Sequence, residues 1–155
     1  MSIKFFLTLE EFKEELSKAS SVLYLADNAG ETLFDKVLIE ELSIPVTYVV
    51  KYKPAGNDAL YEDAIVAGID KIAMIITNGT EYAGTFIDCC SDKFLKEFNS
   101  ADMIISKGMA NYSSLKDMKA PIFFLLRVKC DAMAKEMNTK KDSTVLMRCK
   151  NFKPR

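Results

Sequence analysis

The sequence predicts an α/β fold, a three-layer α/β/α sandwich built on an open, mostly parallel β-sheet. Short apolar runs alternate with stretches of helical spacing along the chain, and this alternation is typical of parallel strands joined by helical crossovers. The length of 155 residues suits one hydrophobic core. We therefore expect residues 1–155 to form a single α/β domain with helices on both faces of the sheet.

Six apolar runs are the predicted strands, and each is far shorter than a membrane-spanning helix. They are residues 22–26, 46–50, 72–77, 103–106, 122–126 and 145–148. Apolar residues three and four apart predict helices over residues 9–18, 33–42, 60–67, 92–98 and 128–137. Residues 107–114 are predicted as a loop before a further short helical segment.

Two of these helices rest on specific residues. Thr8 and Glu11 have the spacing of a capping box at the start of the first helix. The second helix is predicted from five apolar residues that fall on one helical face, which are Leu33, Phe34, Val37, Leu38 and Leu42.

Composition excludes several classes of function. The net charge of −1 gives no broad basic surface for nucleic acid. The first residues lack the pattern of a signal peptide, so we expect a cytoplasmic protein with no membrane partner. The chain has no histidine, which removes Ser-His-Asp and Cys-His catalysis. The four cysteines form no CxxC pair, and we expect reduced thiols.

Polar residues follow each of the first four predicted strands. They are Asp27, Asn28 and Glu31 after the first, Asn57 and Asp58 after the second, Asn78, Gly79 and Gly84 after the third, and Lys107, Gly108 and Asn111 after the fourth. In a parallel sheet the carboxyl ends of the strands meet at one edge, where such sheets bind ligands. We expect these residues to converge on one crevice.

The residue types in this set suit a metal ion and a phosphate group. Asp27, Asn28 and Asp58 offer the oxygen ligands that Mg²⁺ or Mn²⁺ prefers. Lys107 offers a point charge for a phosphate oxygen. Each signal also has an ordinary explanation, because Asp and Asn are common helix caps and Lys-Gly is a common turn. Their placement after successive strands favours a phosphoryl-transfer site.

Five segments, in order along the chain, resemble the metal-dependent damage-control phosphatases, once called domain of unknown function 89. The first two are "ADNAGETLFD" (26–35) and "KPAGNDALYEDA" (53–64). The others are "NGTEYAGT" (78–85), "ADMIISKGMANYSSL" (101–115) and "FFLLRVKCDAMA" (123–134). The chain departs from the usual family residues at Leu60, Ala83, Ala110 and Ser113.

The resemblance implies a divalent-metal phosphatase that acts on small sugar phosphates or damaged phosphometabolites. It implies that Asp27, Asn28 and Asp58 hold Mg²⁺ or Mn²⁺, with Co²⁺ or Ni²⁺ as substitutes, and that these residues form the catalytic set with Lys107. The phosphate- and substrate-binding residues that it implies are Glu31, Asn57, Asn78, Gly79, Gly84, Gly108, Asn111 and Lys129.

Family members carry a helical N-terminal portion before this domain, and we expect this chain to have no separate N-terminal helical domain. A partner would then complete the site, either a second copy of the chain or a separately encoded helical subunit. Two alternatives follow. One is a non-catalytic or incomplete subunit that binds phosphate ligands or a partner helical chain. The weaker one is a protein carboxyl methyltransferase, although no glycine-rich loop follows the first strand.

Overall fold

The computed structural model describes residues 8–152, which form six strands and six α-helices in alternation along most of the chain. The strands are β1 Val22–Leu25, β2 Val46–Val50, β3 Met74–Thr77, β4 Met103–Lys107, β5 Ile122–Arg127 and β6 Thr144–Arg148. The helices are α1 Thr8–Lys18, α2 Thr32–Glu41, α3 Tyr61–Ala67, α4 Asp92–Ser100, α5 Met109–Leu115 and α6 Asp131–Glu136. The predicted α/β class is confirmed.

All six strands belong to one sheet with the order β3-β2-β1-β4-β5-β6. Strands β1 to β5 run parallel, and β6 pairs antiparallel with β5. The chain moves outward on one side of β1 and then returns to the other side through β4. In open α/β sheets a ligand crevice forms at such a reversal, outside the carboxyl ends of the two central strands.

Two hydrophobic cores lie on opposite faces of the sheet and make the three predicted layers. One core packs the sheet against α1, α2 and α3, and it includes the edge-to-face contact of Phe12 with Phe123, whose ring centroids lie 5.3 Å apart. The other core packs the sheet against α4, α5 and α6. Strand β1 is buried along its whole length because it is central and covered on both faces.

Three sequence predictions need correction or fall outside the description. Residues 109–115 are helical, although this segment was predicted to begin as a loop. The helix predicted over 128–137 begins only at Asp131, because the Val128 amide donates to the Ser143 carbonyl at 2.9 Å and so joins the start of β6. The side chain of Thr8, and with it the predicted capping box, lies outside the described residues.

Helix α2 is where the sequence predicts it, but most of its apolar residues do not face the core. The side chains of Leu33, Phe34 and Val37 are 62%, 76% and 60% exposed. The buried residues of the helix and its end are Thr32, Asp35, Ile39 and Leu42. In this orientation the Asp35 carboxylate faces the core, where it accepts hydrogen bonds from two buried phenols, those of Tyr24 and Tyr48.

Within residues 8–152, no helix is long and apolar enough to cross a membrane.

Candidate metal and phosphate site

A cleft of about 520 Å³ lies where the strand order reverses between β1 and β4. It is lined by Asp27, Glu31, Phe34, Lys107, Gly108, Met109, Leu125, Leu126, Arg127, Lys129 and Thr144. The topology thus brings together residues that lie about 80 to 100 positions apart in sequence. The lining includes carboxylates and lysines as well as aliphatic side chains.

Asp27 lies two residues after the end of β1 and is held against the end of β4. Its carbonyl accepts a 2.7 Å hydrogen bond from the Ala59 amide. Its carboxylate packs against the backbone of Gly108, where a Cβ atom would overlap the carboxylate carbon and both oxygens. Gly108 also has a φ of +80°, which favours glycine. Glycine is therefore required here on two grounds, backbone conformation and space for the Asp27 carboxylate.

Asn28 and Asp58 are paired across a single antiparallel bridge. The bridge is extended by the Ala29 amide, which donates to the Asn57 carbonyl at 2.9 Å. The Asn28 Nδ2 donates to Asp27 Oδ2 at 2.8 Å and to Glu31 Oε1 at 3.0 Å. Because Nδ2 makes both of these bonds, the Asn28 amide is oriented with its donor toward the carboxylates and its carbonyl oxygen away from them.

The helix-cap explanation of these residues fails in the described structure. Asn28 precedes a short 3-10 turn and makes no side-chain cap bond there, and Glu31, which precedes α2, makes none either. Helix α3 begins after Leu60, whose amide donates to Asp63 at 2.9 Å, so Asp58 does not cap it.

Like charges crowd the acidic part of the cleft. Burial, with repulsion from Glu31 and Asp58, raises the pKa of Asp27 to about 6. Burial also raises the pKa of Asp58, against the opposing effect of the Lys51 ammonium. A cation between these carboxylates would relieve both the desolvation and the repulsion, so the two carboxylates fit a hard divalent ion, and the Asn28 amide would have to turn over to add its oxygen as a ligand. No cluster of three or more His, Cys, Asp or Glu side chains with metal-binding geometry occurs in residues 8–152.

Lys107 supplies the positive charge of the cleft. Its ammonium donates to Asp35 at 2.6 Å and to Glu31 at 2.8 Å. Asp35 also accepts 2.7 Å hydrogen bonds from the phenols of Tyr24 and Tyr48. Burial alone would lower the pKa of Lys107, but the two carboxylates outweigh it and raise that pKa, so the ammonium is charged at neutral pH.

Asn28 and Asp58 adjoin Asp27 without lining the cleft themselves, and most of the remaining predicted site residues also lie outside the lining. Lys129 lines the cleft. The Asn111 amide donates to the carbonyls of Ala26 and Lys107 at 3.0 and 2.9 Å and accepts from Thr85 at 2.8 Å. The Asn111 side chain therefore links the residue after β1 to the last residue of β4. Its role as a phosphate ligand stays a prediction.

The glycine-bearing loop after β3 lies on the far side of Asp58. Asn78 accepts from the Thr80 amide at 2.9 Å, and Gly79 packs closely against Ser91. The Gly84 carbonyl accepts a short hydrogen bond from the Lys51 ammonium, which also lies 3.6 Å from Asp58. These contacts build the loop, and its predicted part in ligand binding is untested.

Sequence reasoning missed two buried charged residues, Asp35 and Lys51. Asp35 belongs to the quoted segment "ADNAGETLFD", and its signal is a single acid at the core-facing position of an otherwise apolar helical pattern. Lys51 directly follows β2, and a lysine at the end of a buried β-branched run was the available signal.

Fold and site together define an α/β protein with a metal- and phosphate-compatible crevice at its topological switch point. A family model for the damage-control phosphatase ARMT1-like domain matches residues 4–145. The chain belongs to this family, as its sequence segments predict.

Similar proteins from three archaea are consistent with this assignment. The chain is 43% identical to an uncharacterized protein of Methanocaldococcus jannaschii, covering 90% of this chain and 48% of that protein. It is 40% identical to a damage-control phosphatase of Pyrococcus horikoshii (91% and 51% covered) and 43% identical to one of Archaeoglobus fulgidus (80% and 44% covered).

A solved structure shares the fold. The crystal structure of a DUF89 family protein from Pyrococcus horikoshii matches with a TM-score of 0.86 at 39% identity, over 91% of this chain and 51% of that chain. The chain thus spans about half the length of the relatives that it matches.

Proposed function

We propose that this chain is a divalent-metal-dependent phosphatase for small phosphate monoesters, such as sugar phosphates or damaged phosphometabolites. The observation that carries the proposal is that Asp27 lines the cleft together with Lys107 at the sheet reversal, while Asn28 bonds to Asp27 and is bridged to Asp58. Two relatives that are named damage-control phosphatases support the reaction class.

In this proposal Asp27, Asn28 and Asp58 would hold Mg²⁺ or Mn²⁺, with Co²⁺ or Ni²⁺ as substitutes. Such a cation polarises a phosphoryl group and makes water more acidic. The chain's own residues bind and orient the ester. The Lys107 ammonium attracts a phosphoryl oxygen, Gly108 keeps space for the Asp27 carboxylate, and Lys129 adds positive charge to the lining.

The cleft has the size and lining for a small metabolite. Its volume of about 520 Å³ lies within the roughly 300–1,000 Å³ typical of small-molecule sites. The aliphatic part, with Met109, Leu125 and Leu126, can pack against the carbon skeleton while the phosphate lies near Lys107. A cytoplasmic location, expected from the sequence, stays a prediction.

The test is hydrolysis of p-nitrophenyl phosphate and fructose 1-phosphate by the purified chain with Mn²⁺, Co²⁺ or Mg²⁺. We expect metal-stimulated turnover that is lost in Asp27→Ala. Metal-dependent turnover no greater than that of Asp27→Ala would refute the proposal for the isolated chain.

A second candidate is a subunit that works with a helical partner, and an exposed apolar surface favours it. Exposed apolar side chains lie on two helices that contact each other, with Leu33, Phe34 and Val37 on α2 and Val66, which is 88% exposed, on α3; these four residues are called the apolar surface. Because Phe34 also lines the cleft, a partner on this surface would reach the cleft mouth. The relatives are about twice as long as this chain, so a helical segment is the occupant we propose.

The test is to mix the chain with the separately produced half of the Pyrococcus relative that it does not match. Light scattering after size exclusion should show a one-to-one complex with higher turnover than either part. A dimer of this chain alone would favour a homo-oligomer instead, and a fully active monomer would exclude the need for a partner.

A further inference from the structure

We infer that Asp35 is the positioning residue that holds Lys107 at the cleft, and that Glu31 is an exchangeable partner that a phosphate ester displaces. This inference rests on the proposed function, since it assigns parts to two carboxylates around the proposed phosphate-binding lysine. Residue type alone cannot separate the two roles, because Asp35 and Glu31 are both carboxylates that pair with the same ammonium.

Burial separates the two carboxylates. The Asp35 side chain is 1% exposed and lies 2.6 Å from the Lys107 ammonium, whereas the Glu31 side chain is 40% exposed and lies 2.8 Å from it. Water can solvate Glu31 when it leaves Lys107. Asp35 has no such compensation, because separating a buried ion pair leaves an uncompensated charge.

Two phenols fix the Asp35 carboxylate. Tyr24 donates to Oδ1 and Tyr48 donates to Oδ2, each at 2.7 Å. The two tyrosines are register partners on β1 and β2, and their rings stack with centroids 5.4 Å apart. Lys107 shares Oδ1 with Tyr24. Each carboxylate oxygen therefore has a donor from the rigid centre of the sheet, so Asp35 can neither rotate nor move away without breaking buried bonds.

The ammonium geometry allows an exchange at the outer position. An ammonium has three N–H donors, and Lys107 uses one on Asp35 and one on Glu31. A phosphate dianion that approaches from the cleft competes with Glu31, which is on the solvent-exposed side. Glu31 can then keep its bond to Asn28 Nδ2, which is 3.0 Å away. The Asp35 bond persists through the exchange and keeps the ammonium in place.

The positioning role of Asp35 predicts an effect on anion binding that charge alone does not predict. Both carboxylates are negative, so neutralising either one should tighten the binding of an anion if only charge matters. If Asp35 positions Lys107, Asp35→Asn should instead weaken binding, whereas Glu31→Gln should leave binding equal or tighter. Weaker phosphate binding in Asp35→Asn, without weaker binding in Glu31→Gln, would therefore distinguish the positioning residue from the exchangeable partner.

The experiment measures inorganic phosphate binding by calorimetry and p-nitrophenyl phosphate kinetics on the full chain with Mn²⁺. We expect Asp35→Asn to raise the phosphate Kd and the KM about tenfold, as misplacement of a binding group does, with a smaller change in kcat. Glu31→Gln should lower KM or leave it unchanged. Equal signs for the two variants would overturn the inference.

A double-mutant cycle with Lys107→Ala separates positioning from general damage to the fold. If Asp35 acts through Lys107, Asp35→Asn should change KM less than about twofold in the Lys107→Ala background. Ile39→Val is the control, because Ile39 is buried on the same helix in the same core as Tyr24 and Tyr48, but its aliphatic side chain cannot bond to the carboxylates or to the ammonium. It should lower the melting temperature without changing KM. Additive effects of Asp35→Asn and Lys107→Ala would contradict the inference.

If Asp35→Asn does not fold, Tyr48→Phe takes its place in the same cycle, because it removes one donor and keeps the ring and the carboxylate. It should raise KM severalfold with Lys107 present and leave it unchanged in Lys107→Ala. A wild-type chain without phosphate binding or turnover would refute the proposed function itself. A working wild type whose KM is unaffected by Asp35→Asn or Tyr48→Phe would refute only the role of Asp35.

Discussion

Two lysines with little solvent exposure, Lys107 at 11% and Lys51 at 4%, lie at the same edge of the sheet, and their surroundings differ. Lys107 lies between the carboxylates of Asp35 and Glu31 and faces the cleft. Lys51 bonds to the Gly84 carbonyl and lies 3.6 Å from Asp58. Burial works against the charge on both. At Lys107 the carboxylates outweigh burial and raise the pKa, whereas at Lys51 burial dominates and lowers the pKa.

The difference separates a ligand site from a structural clamp. Lys107 borders an open volume, and one of its carboxylates is accessible to solvent. Lys51 is enclosed and ties the loop after β3 to the residue beside the cleft. We expect changes around Lys107 to affect binding and turnover, and changes around Lys51 to affect the free energy of unfolding.

The largest expected effect comes from Gly108→Ala, which breaks the cleft and leaves the clamp intact. The added Cβ would overlap the Asp27 carboxylate, so metal-dependent turnover should fall about 100-fold, as misplacement of a catalytic group does. Calorimetry with Mn²⁺ should show weaker binding.

Gly68→Ala is the control for a side chain at positive φ. Gly68 has a φ of +76° in the left-handed helical region, and its nearest neighbour would be the flexible Lys36 ammonium at 3.4 Å. Gly68→Ala should lose about 1–2 kcal/mol of stability from the left-handed backbone. Gly108→Ala should lose more, because Gly108 combines a φ of 80° with a ψ of 166°, a conformation that is nearly restricted to glycine, but only Gly108→Ala should lose activity. Equal losses of turnover would point to backbone strain rather than to the Asp27 contact.

Lys51→Met is the reciprocal change, since it breaks the clamp and leaves the ion pairs of Lys107 intact. It leaves the Gly84 carbonyl and the Asp58 carboxylate without their buried donor, which should cost about 2 kcal/mol of unfolding free energy in a urea titration. Mn²⁺ affinity should change, because Lys51 lies 3.6 Å from Asp58, a proposed metal ligand, but KM for p-nitrophenyl phosphate at saturating Mn²⁺ should stay within about twofold. A large change in KM with unchanged stability would place Lys51 in the ligand site.

Lys53→Met tests whether the burial of Lys51 is the reason for the stability loss expected in Lys51→Met. Lys53 lies 3.6 Å from Glu81, and both side chains are more than half exposed. Exposed ion pairs contribute little, so this variant should change stability by less than about 0.5 kcal/mol.

A third prediction concerns pH and the acidic part of the cleft. The pKa of Asp27, raised to about 6 mainly by burial, lies above its value in an unfolded chain. Between these two values the folded state holds a proton that the unfolded state has lost, so the metal-free protein should lose stability as pH rises toward 6. Mn²⁺ requires the ionised carboxylate, so its affinity should fall as pH drops below 6.

The measurement is the difference between wild type and Asp27→Asn. Melting temperature without metal should be followed from about pH 4 to pH 8, which includes the ordinary pKa of an aspartate, and Mn²⁺ affinity should be followed by calorimetry from about pH 5 to pH 8. Asp27→Asn should flatten the part of each profile near pH 6. Profiles that are parallel in the two proteins would show that another group titrates there.

Much of the fold and of the site followed from local pattern. Asp27, Asn28, Asp58 and Lys107 each come after an apolar run, and the sheet topology brings strand ends together. The sequence could not predict the role of Asp35, because its burial depends on two tyrosines from other strands and a lysine 72 positions away.

The orientation of α2 was misjudged for the same reason. Helical spacing groups Leu33, Phe34 and Val37 with Leu42. The hydrogen bonds that Asp35 accepts from residues distant in sequence instead decide which side of the helix faces the sheet. Helix α5 was missed because Gly108 and the serines after it favour a loop locally, whereas Tyr112 and Leu115 pack into the core and stabilise a helix.

The smallest expected effect lies outside both lysine regions, on the apolar surface of α2 and α3. Val66→Ser should change the unfolding free energy of the isolated chain by less than about 0.5 kcal/mol, because the Val66 side chain is 88% exposed. Ala64→Ser, two residues earlier and fully buried, should cost about 1–3 kcal/mol, since it places a hydroxyl in the core. Val66→Ser should weaken association with the half of the Pyrococcus relative that this chain does not match, although it leaves the fold unchanged. If Val66→Ser destabilises the chain as much as Ala64→Ser, this surface is part of the core of the chain itself and not a docking site.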